Sequence, residues 1–200
     1  DYRYTITAVG PGGTSTASNP ATVTTQPLPP AVVDYLNAES QWTLNDTGVK
    51  ISKWKNRTFD DSAWRTGAGL FGYGDGDEDT LVAWGSDPAK KHMTTYFRGS
   101  FDTSSIEGVE QLRLRYRVDD GARFFLNGRA IHIFNLPERI GHNTAALRYV
   151  AGDEEREWKE VLVPADRLRT GDNVLAVEVH QYHPSSSDLT LQVELTPVAD

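Results

Sequence analysis

The sequence predicts an all-β protein: an antiparallel β-sandwich of jelly-roll form, preceded by a separate β-hairpin. Three observations carry this. Short stretches alternate apolar and polar residues with the two-residue period of a strand. Turn residues such as Asn127-Gly128 separate them. No long stretch carries the helical period that a surface helix needs.

At the start of the chain, Tyr2, Tyr4, Ile6 and Ala8 alternate with polar residues, "GPGG" turns the chain, and a Thr-rich strand follows. This stretch resembles the last hairpin of a fibronectin type III domain. A lone hairpin is marginal in water. Tyr2, Tyr4 and Ile6 are therefore expected to pack against the following module or a neighbouring molecule, and the chain is expected to be an internal or C-terminal piece of something longer. "QPLPPAVVD" carries three prolines and reads as an extended linker. The domain reading is thus a hairpin over 1–25, a linker over 26–34 and a jelly-roll module over 35–200.

Within that module, "LRLRYRV" puts Leu112, Leu114, Tyr116 and Val118 on one face and Arg113, Arg115 and Arg117 on the other. "VLAVEVHQ" groups Leu175, Val177 and Val179, and "LTLQVELTPV" aligns Leu189, Leu191, Val193 and Leu195. "DEEREWKE" reads as a solvated rim leading into a strand, and "PADRLRT" as one helical turn after Pro164.

Composition narrows the function. Hydrophobic residues make up 38% and charged residues 24%, enough apolar content to bury a core. The net charge of −8 argues against a phosphate-backbone partner, so no nucleic acid is expected. With no cysteine, disulfides and thiolate metal sites are ruled out. No apolar run reaches the length of a membrane span. Nucleophile-elbow, His-Glu-x-x-His and phosphate-loop motifs are all missing from the sequence, so no catalytic residue is assigned and no turnover is expected.

Five signatures occur in order: "FDDSAW", "GYGDGD", "TTYFRGSF", "DDGARFFLNG" and "NVLAVEVHQ". Together they resemble a galactose-binding-domain-like jelly-roll module, over roughly Asp34 to Pro197. Such modules accompany catalytic domains in secreted bacterial enzymes, including metallophosphoesterases and polysaccharide-degrading enzymes. "FDDSAW" and "DDGARFFLNG" are also similar to the sugar-binding domain of family 2 glycoside hydrolases. The resemblance implies a non-catalytic accessory module, secreted or at a bacterial cell surface. Its implied partners are a polysaccharide or glycan and an attached upstream catalytic domain. The alternative is a structural or protein-interaction spacer without a glycan ligand.

Candidate residues follow. Asp119-Asp120-Gly121 suits a turn, because Asp side chains bond nearby amides. A turn needs only one Asp, so the pair leaves a ligand or metal role open. The pair followed by Asn-Gly resembles the protective-antigen-type sugar-binding domain, where adjacent acids help hold calcium that orders a sugar; Asn127 stands where that pattern has its next acid. Asn127-Gly128 is itself a hairpin signal. With one chain reversal at Asp120-Gly121 and another at Asn127-Gly128, the two ends of strand 122–126 would stand about 17 Å apart at ~3.3 Å per residue. Function would then fall to Asp119 or Asp120 together with residues at the same end: Asp75, Asp77 and Tyr73 from the Gly-rich loop, and His180 and Gln181 from the exit of strand 174–181. Asp120→Ala would leave the melting temperature nearly unchanged. Asp75, Asp77 and Asp79 alternate as in calcium loops, so structural calcium is the one cofactor considered. Thr80 and Ser86 stand where an EF-hand needs Gly and Glu, which excludes that motif. The aromatic rings of Tyr73, Trp84 and Tyr182 are read as loop residues able to stack on a sugar.

Overall fold

A computed structural model describes residues 2–23 and 34–199, in a chain that divides into two compact units, Asp1–Val32 and Val33–Asp200. All but the last residue of the 26–34 linker reading lies outside the described residues.

The first unit contains β1 (Tyr2–Tyr4), β2 (Val9–Gly10), β3 (Gly13–Thr14) and β4 (Ala21–Val23). β2 and β3 form a tight antiparallel hairpin across Pro11-Gly12, and β1 pairs antiparallel with β4. Between the two ladders, the hydroxyls of Ser15 and Ser18 accept the amides of Ala8 and Ile6, keeping backbone donors satisfied where no strand partner continues. Tyr4, Ile6 and Val9 are exposed, Ile6 at 76%. The alternation therefore encodes strands of this first unit.

The second unit is the sandwich. Its elements are β5 (Trp42–Asn45), β6 (Arg65–Gly67), β7 (Phe71–Tyr73), β8 (Thr80–Leu81), β9 (Thr94–Thr103), β10 (Val109–Asp119), β11 (Gly121–Leu126), β12 (Arg129–Phe134), α1 (Asp153–Arg156), β13 (Lys159–Pro164), β14 (Gly171–His180) and β15 (Leu189–Ala199). One sheet runs β13-β10-β15-β7-β8 and the other β12-β11-β14-β9-β5-β6. All pairs are antiparallel except β7 with β8. From β9 onward the chain alternates between the sheets, with only the β11–β12 hairpin kept within one, as suits a jelly roll.

The arginine-spaced strand behaves as its pattern dictates: Leu112, Leu114, Tyr116 and Val118 of β10 enter the core while Arg113 stays exposed. They meet Leu189, Leu191, Val193 and Leu195 of β15, and Leu175, Val177 and Val179 of β14 from the facing sheet. Each such side chain contributes about 1.5–3 kcal/mol on burial. β14 goes further, since every residue from Asn173 to His180 is buried. Its second face is covered by the segment 46–64, whose Trp54 packs with Tyr96, Phe125, Val174 and Ala176 in a second cluster outside the six-stranded sheet.

Two local readings change. "PADRLRT" gives the end of β13 and a turn, with no helix. The short helix lies instead in "DEER", where Gly152 takes φ +65 and its amide is accepted by the Glu155 carboxylate at 3.0 Å. Asp119-Asp120 is not a hairpin turn either. β10 and β11 belong to different sheets, so this cis peptide lies at the crossing between layers.

Candidate functional site

That crossing explains the paired acids. Both are buried, Asp119 at 1% and Asp120 at 2% exposure. The Asp120 carboxylate accepts the amides of Val150 and Tyr182, each at 2.7 Å. One side chain thus clamps the segment before α1 to the segment after β14. Removing it would leave two amides without their acceptor, at about 1–3 kcal/mol each, so the unchanged melting temperature expected for Asp120→Ala does not follow from this geometry.

The clamp has a visible product. Tyr149 and Tyr182, flanking the two clamped amides, stand edge to face with ring centroids 6.1 Å apart. They are 65% and 43% exposed, an aromatic pair held open to solvent.

Asp119 plays a different part. Its Oδ1 is buried with no hydrogen-bond partner, and the carboxyls of Asp120 and Asp188 are its neighbours. Burial first, then those two acids, push its pKa strongly upward. Burial and the charges of Asp188, Asp119 and Asp120 also raise the Tyr73 hydroxyl. Gln181, fully buried, donates its amide to the Tyr73 hydroxyl at 2.9 Å and to the Asp188 carbonyl at 2.8 Å, while its Oε1 has no partner.

Above this layer, carboxylate oxygens of Asp75, Glu155 and Asp188 all lie within 4.8 Å of one another. Burial, then Asp188, Asp77 and Glu78, raise Asp75, with Arg156 opposing. Burial and Asp188 raise Glu155. The acids come from the β7–β8 loop, the first turn of α1 and the residue before β15. Gly74 allows the approach, because a Cβ there would lie 2.8 Å from the Asp188 Cβ and the Ser187 carbonyl.

The structure therefore brings Asp119, Asp120, Tyr73, Asp75 and Gln181 to one end of the sandwich, and corrects several of their expected roles. Tyr73 is in β7, with its ring buried, and has no free face for a sugar. Trp84 is half-buried against the core, and Lys91 lies over its ring at 5.3 Å. His180 is fully buried, its Nδ1 on the Thr144 carbonyl at 2.8 Å, so it ties strands to a loop. Of the expected calcium trio, Asp79 turns back to accept the Leu70 amide at 2.8 Å, and Asp77 is outside the close group that Asp75 joins. Tyr182 alone among the named aromatics is exposed. Tyr149, Glu155 and Asp188 were missed, since each is an ordinary surface residue until topology places it. Asn127-Gly128 forms the β11–β12 turn, with the Asn127 side chain bonded to Arg167, Asn173 and Val174.

A separate concavity of about 310 Å³ lies beside Trp54 on the outer face of the six-stranded sheet, where Lys50, Lys53, Arg123, His142 and Glu178 line it. Its aromatic floor, Trp54, Tyr96 and Phe125, is almost wholly buried.

No family model matches the chain, and no curated protein sequence matches it. Among solved structures, it is similar to a glycosyl hydrolase family 2 member from Bacteroides cellulosilyticus, at 14% identity and a TM-score of 0.47 over 78% of this chain and 20% of that one. A Bifidobacterium dentium β-glucuronidase complexed with coumarin-3-O-glucuronide gives 15% identity and a TM-score of 0.46, over 77% of this chain and 21% of that one. A further β-glucuronidase from glycoside hydrolase family 2 gives 14% identity and a TM-score of 0.46, over 72% and 13%. The chain thus spans 13–21% of the length of these structures.

Proposed function

We propose that this chain is a non-catalytic carbohydrate-binding accessory module of a secreted or cell-surface bacterial enzyme, and that it binds glycan through Tyr149 and Tyr182. The observation that carries this is the exposed tyrosine pair, fixed by a buried carboxylate. Aromatic rings held at the surface lose little entropy on binding and offer an apolar face to the C–H groups of a pyranose ring, with a hydroxyl at the rim. Asp120 accepts the backbone amides of Tyr182 and Val150 and acts by positioning that surface.

The test is a glycan array followed by calorimetry on the best ligand. Tyr149→Ala and Tyr182→Ala are expected to abolish binding with the melting temperature unchanged. Lys53→Ala, in the concavity beside Trp54, should bind like the parent chain. Loss of binding in Lys53→Ala alone would move the site to that concavity. A chain that binds no glycan at all would favour the spacer reading.

A further inference from the structure

The concavity beside Trp54 carries charges that the fold leaves without partners. Arg123 of β11, Glu178 of β14 and Tyr96 of β9 stand opposite one another on adjacent strands, and all three line it. Glu178 is 8% exposed, and among the described residues no hydrogen bond reaches its carboxylate. His180 Nε2 stands 3.7 Å away, beyond hydrogen-bond reach. Because His180 Nδ1 donates to the Thr144 carbonyl, Nε2 of the neutral ring has no proton to offer. Arg123 is the direct cross-strand neighbour of Glu178, yet among the described residues no ion pair joins the two. Its guanidinium lies over the Phe125 ring at 4.8 Å, and its Nε is buried without a partner. Tyr96 and His142 engage each other: the Tyr96 hydroxyl donates to His142 Nδ1 at 2.7 Å, and His142 Nε2 donates to the Gly48 carbonyl at 3.0 Å. A buried carboxylate is costly unless something donates to it, and folded proteins rarely leave one bare.

We propose that this concavity holds one acidic sugar ring, a uronic acid, whose hydroxyls donate to Glu178 and whose carboxylate accepts from Arg123. The site is separate from the tyrosine pair and needs nothing from it. Four basic side chains line the space against a single acid, so the occupant carries negative charge. A hydroxyl supplies the donor that Glu178 lacks. An ammonium group would do the same, but Lys50 and Lys55 in the same lining repel it. The guanidinium fork matches a carboxylate through two parallel bonds, and one carboxylate repels Glu178 less than a doubly charged phosphate does. At about 310 Å³ the space is at the lower end for ligand pockets, the size of one ring rather than a chain of them. Trp54 and Phe125 are buried in the floor, so recognition here is by polar groups rather than by stacking.

The experiment titrates sodium glucuronate and sodium galacturonate into the 200-residue chain by calorimetry, with glucose, acetate, inorganic phosphate and L-glutamate in parallel. One uronate per chain is expected, bound at least about tenfold tighter than glucose or acetate. Arg123→Gln should lose the preference for uronate over glucose, and Glu178→Ala the preference for uronate over acetate. If one of these variants does not fold, the other decides. Retained affinity for the methyl glycoside of the bound uronate marks the end of an acidic polysaccharide as the source, and its loss marks the free sugar acid. Failure of both uronates to exceed glucose and acetate, tighter binding of phosphate or L-glutamate, or an undiminished preference in the folded variants overturns the proposal. Loss of uronate binding in Tyr149→Ala would place the uronate at the tyrosine pair and overturn it as well.

Discussion

Arg98 shows how one residue can hold a whole segment in place. It lies in β9 at 2% exposure, and its guanidinium donates to Asp61 at 2.7 Å and to the carbonyls of Trp54 and Asn56 at 2.5 and 3.0 Å. These acceptors all belong to the segment that covers the outer face of the six-stranded sheet. Burial pushes the Asp61 carboxyl up, but the Thr43 hydroxyl and Arg98 outweigh it and hold the pKa below the ordinary value. Asp61→Asn leaves the guanidinium buried without its counter-charge, and is expected to cost about 3–5 kcal/mol in urea denaturation. Asp60→Asn, at the exposed neighbour, should change little. The sign with pH follows from the lowered value. The pair's contribution is complete above the unfolded carboxyl's pKa of about 3.9, and fades as pH falls through the lower folded value. The parent chain should therefore lose more stability below pH 4 than Asp61→Asn does, as melts across that range would show.

At the scale of elements, sequence periodicity reported which face of a strand is buried but not which sheet the strand joins. β10, β14 and β15 were legible because leucines and valines recur at every second residue over a long run. The β11–β12 turn was legible because Asn127 and Gly128 take φ +50 and +93, which few other residues tolerate. The step from β10 to β11 was not legible, since a change of layer and a tight turn both suit Asp-Asp-Gly. β6, β7 and β8, of two or three residues each, are too short to show any period. What places β7 is contact: a Cβ on Gly72 would lie 2.1 Å from the Leu189 carbonyl, on the strand it pairs with. Gly72→Ala must push β7 off β15 and is expected to destabilise by about 1–3 kcal/mol or more. A Gly72→Ala chain with parental stability would show that the edge yields freely.

On the scale of the whole molecule, the candidate site could not be read from sequence because its parts meet only after the sandwich closes. Asp119 and Asp120 stood out as a pair, but Glu155 and Asp188 looked like surface acids, and Tyr149 like any loop aromatic. Closure also brings two segments onto one clamp. The segment before β13 carries Tyr149 and Glu155, and the segment between β14 and β15 carries Tyr182 and Asp188; Asp120 bonds to the backbone of both. Removing that one carboxylate frees both segments at once. Asp120→Ala is therefore expected to weaken glycan binding and lower the melting temperature together, whereas Tyr149→Ala loses binding alone. Parental glycan affinity in a folded Asp120→Ala chain, measured by calorimetry, would show that the tyrosine pair keeps its place without the clamp.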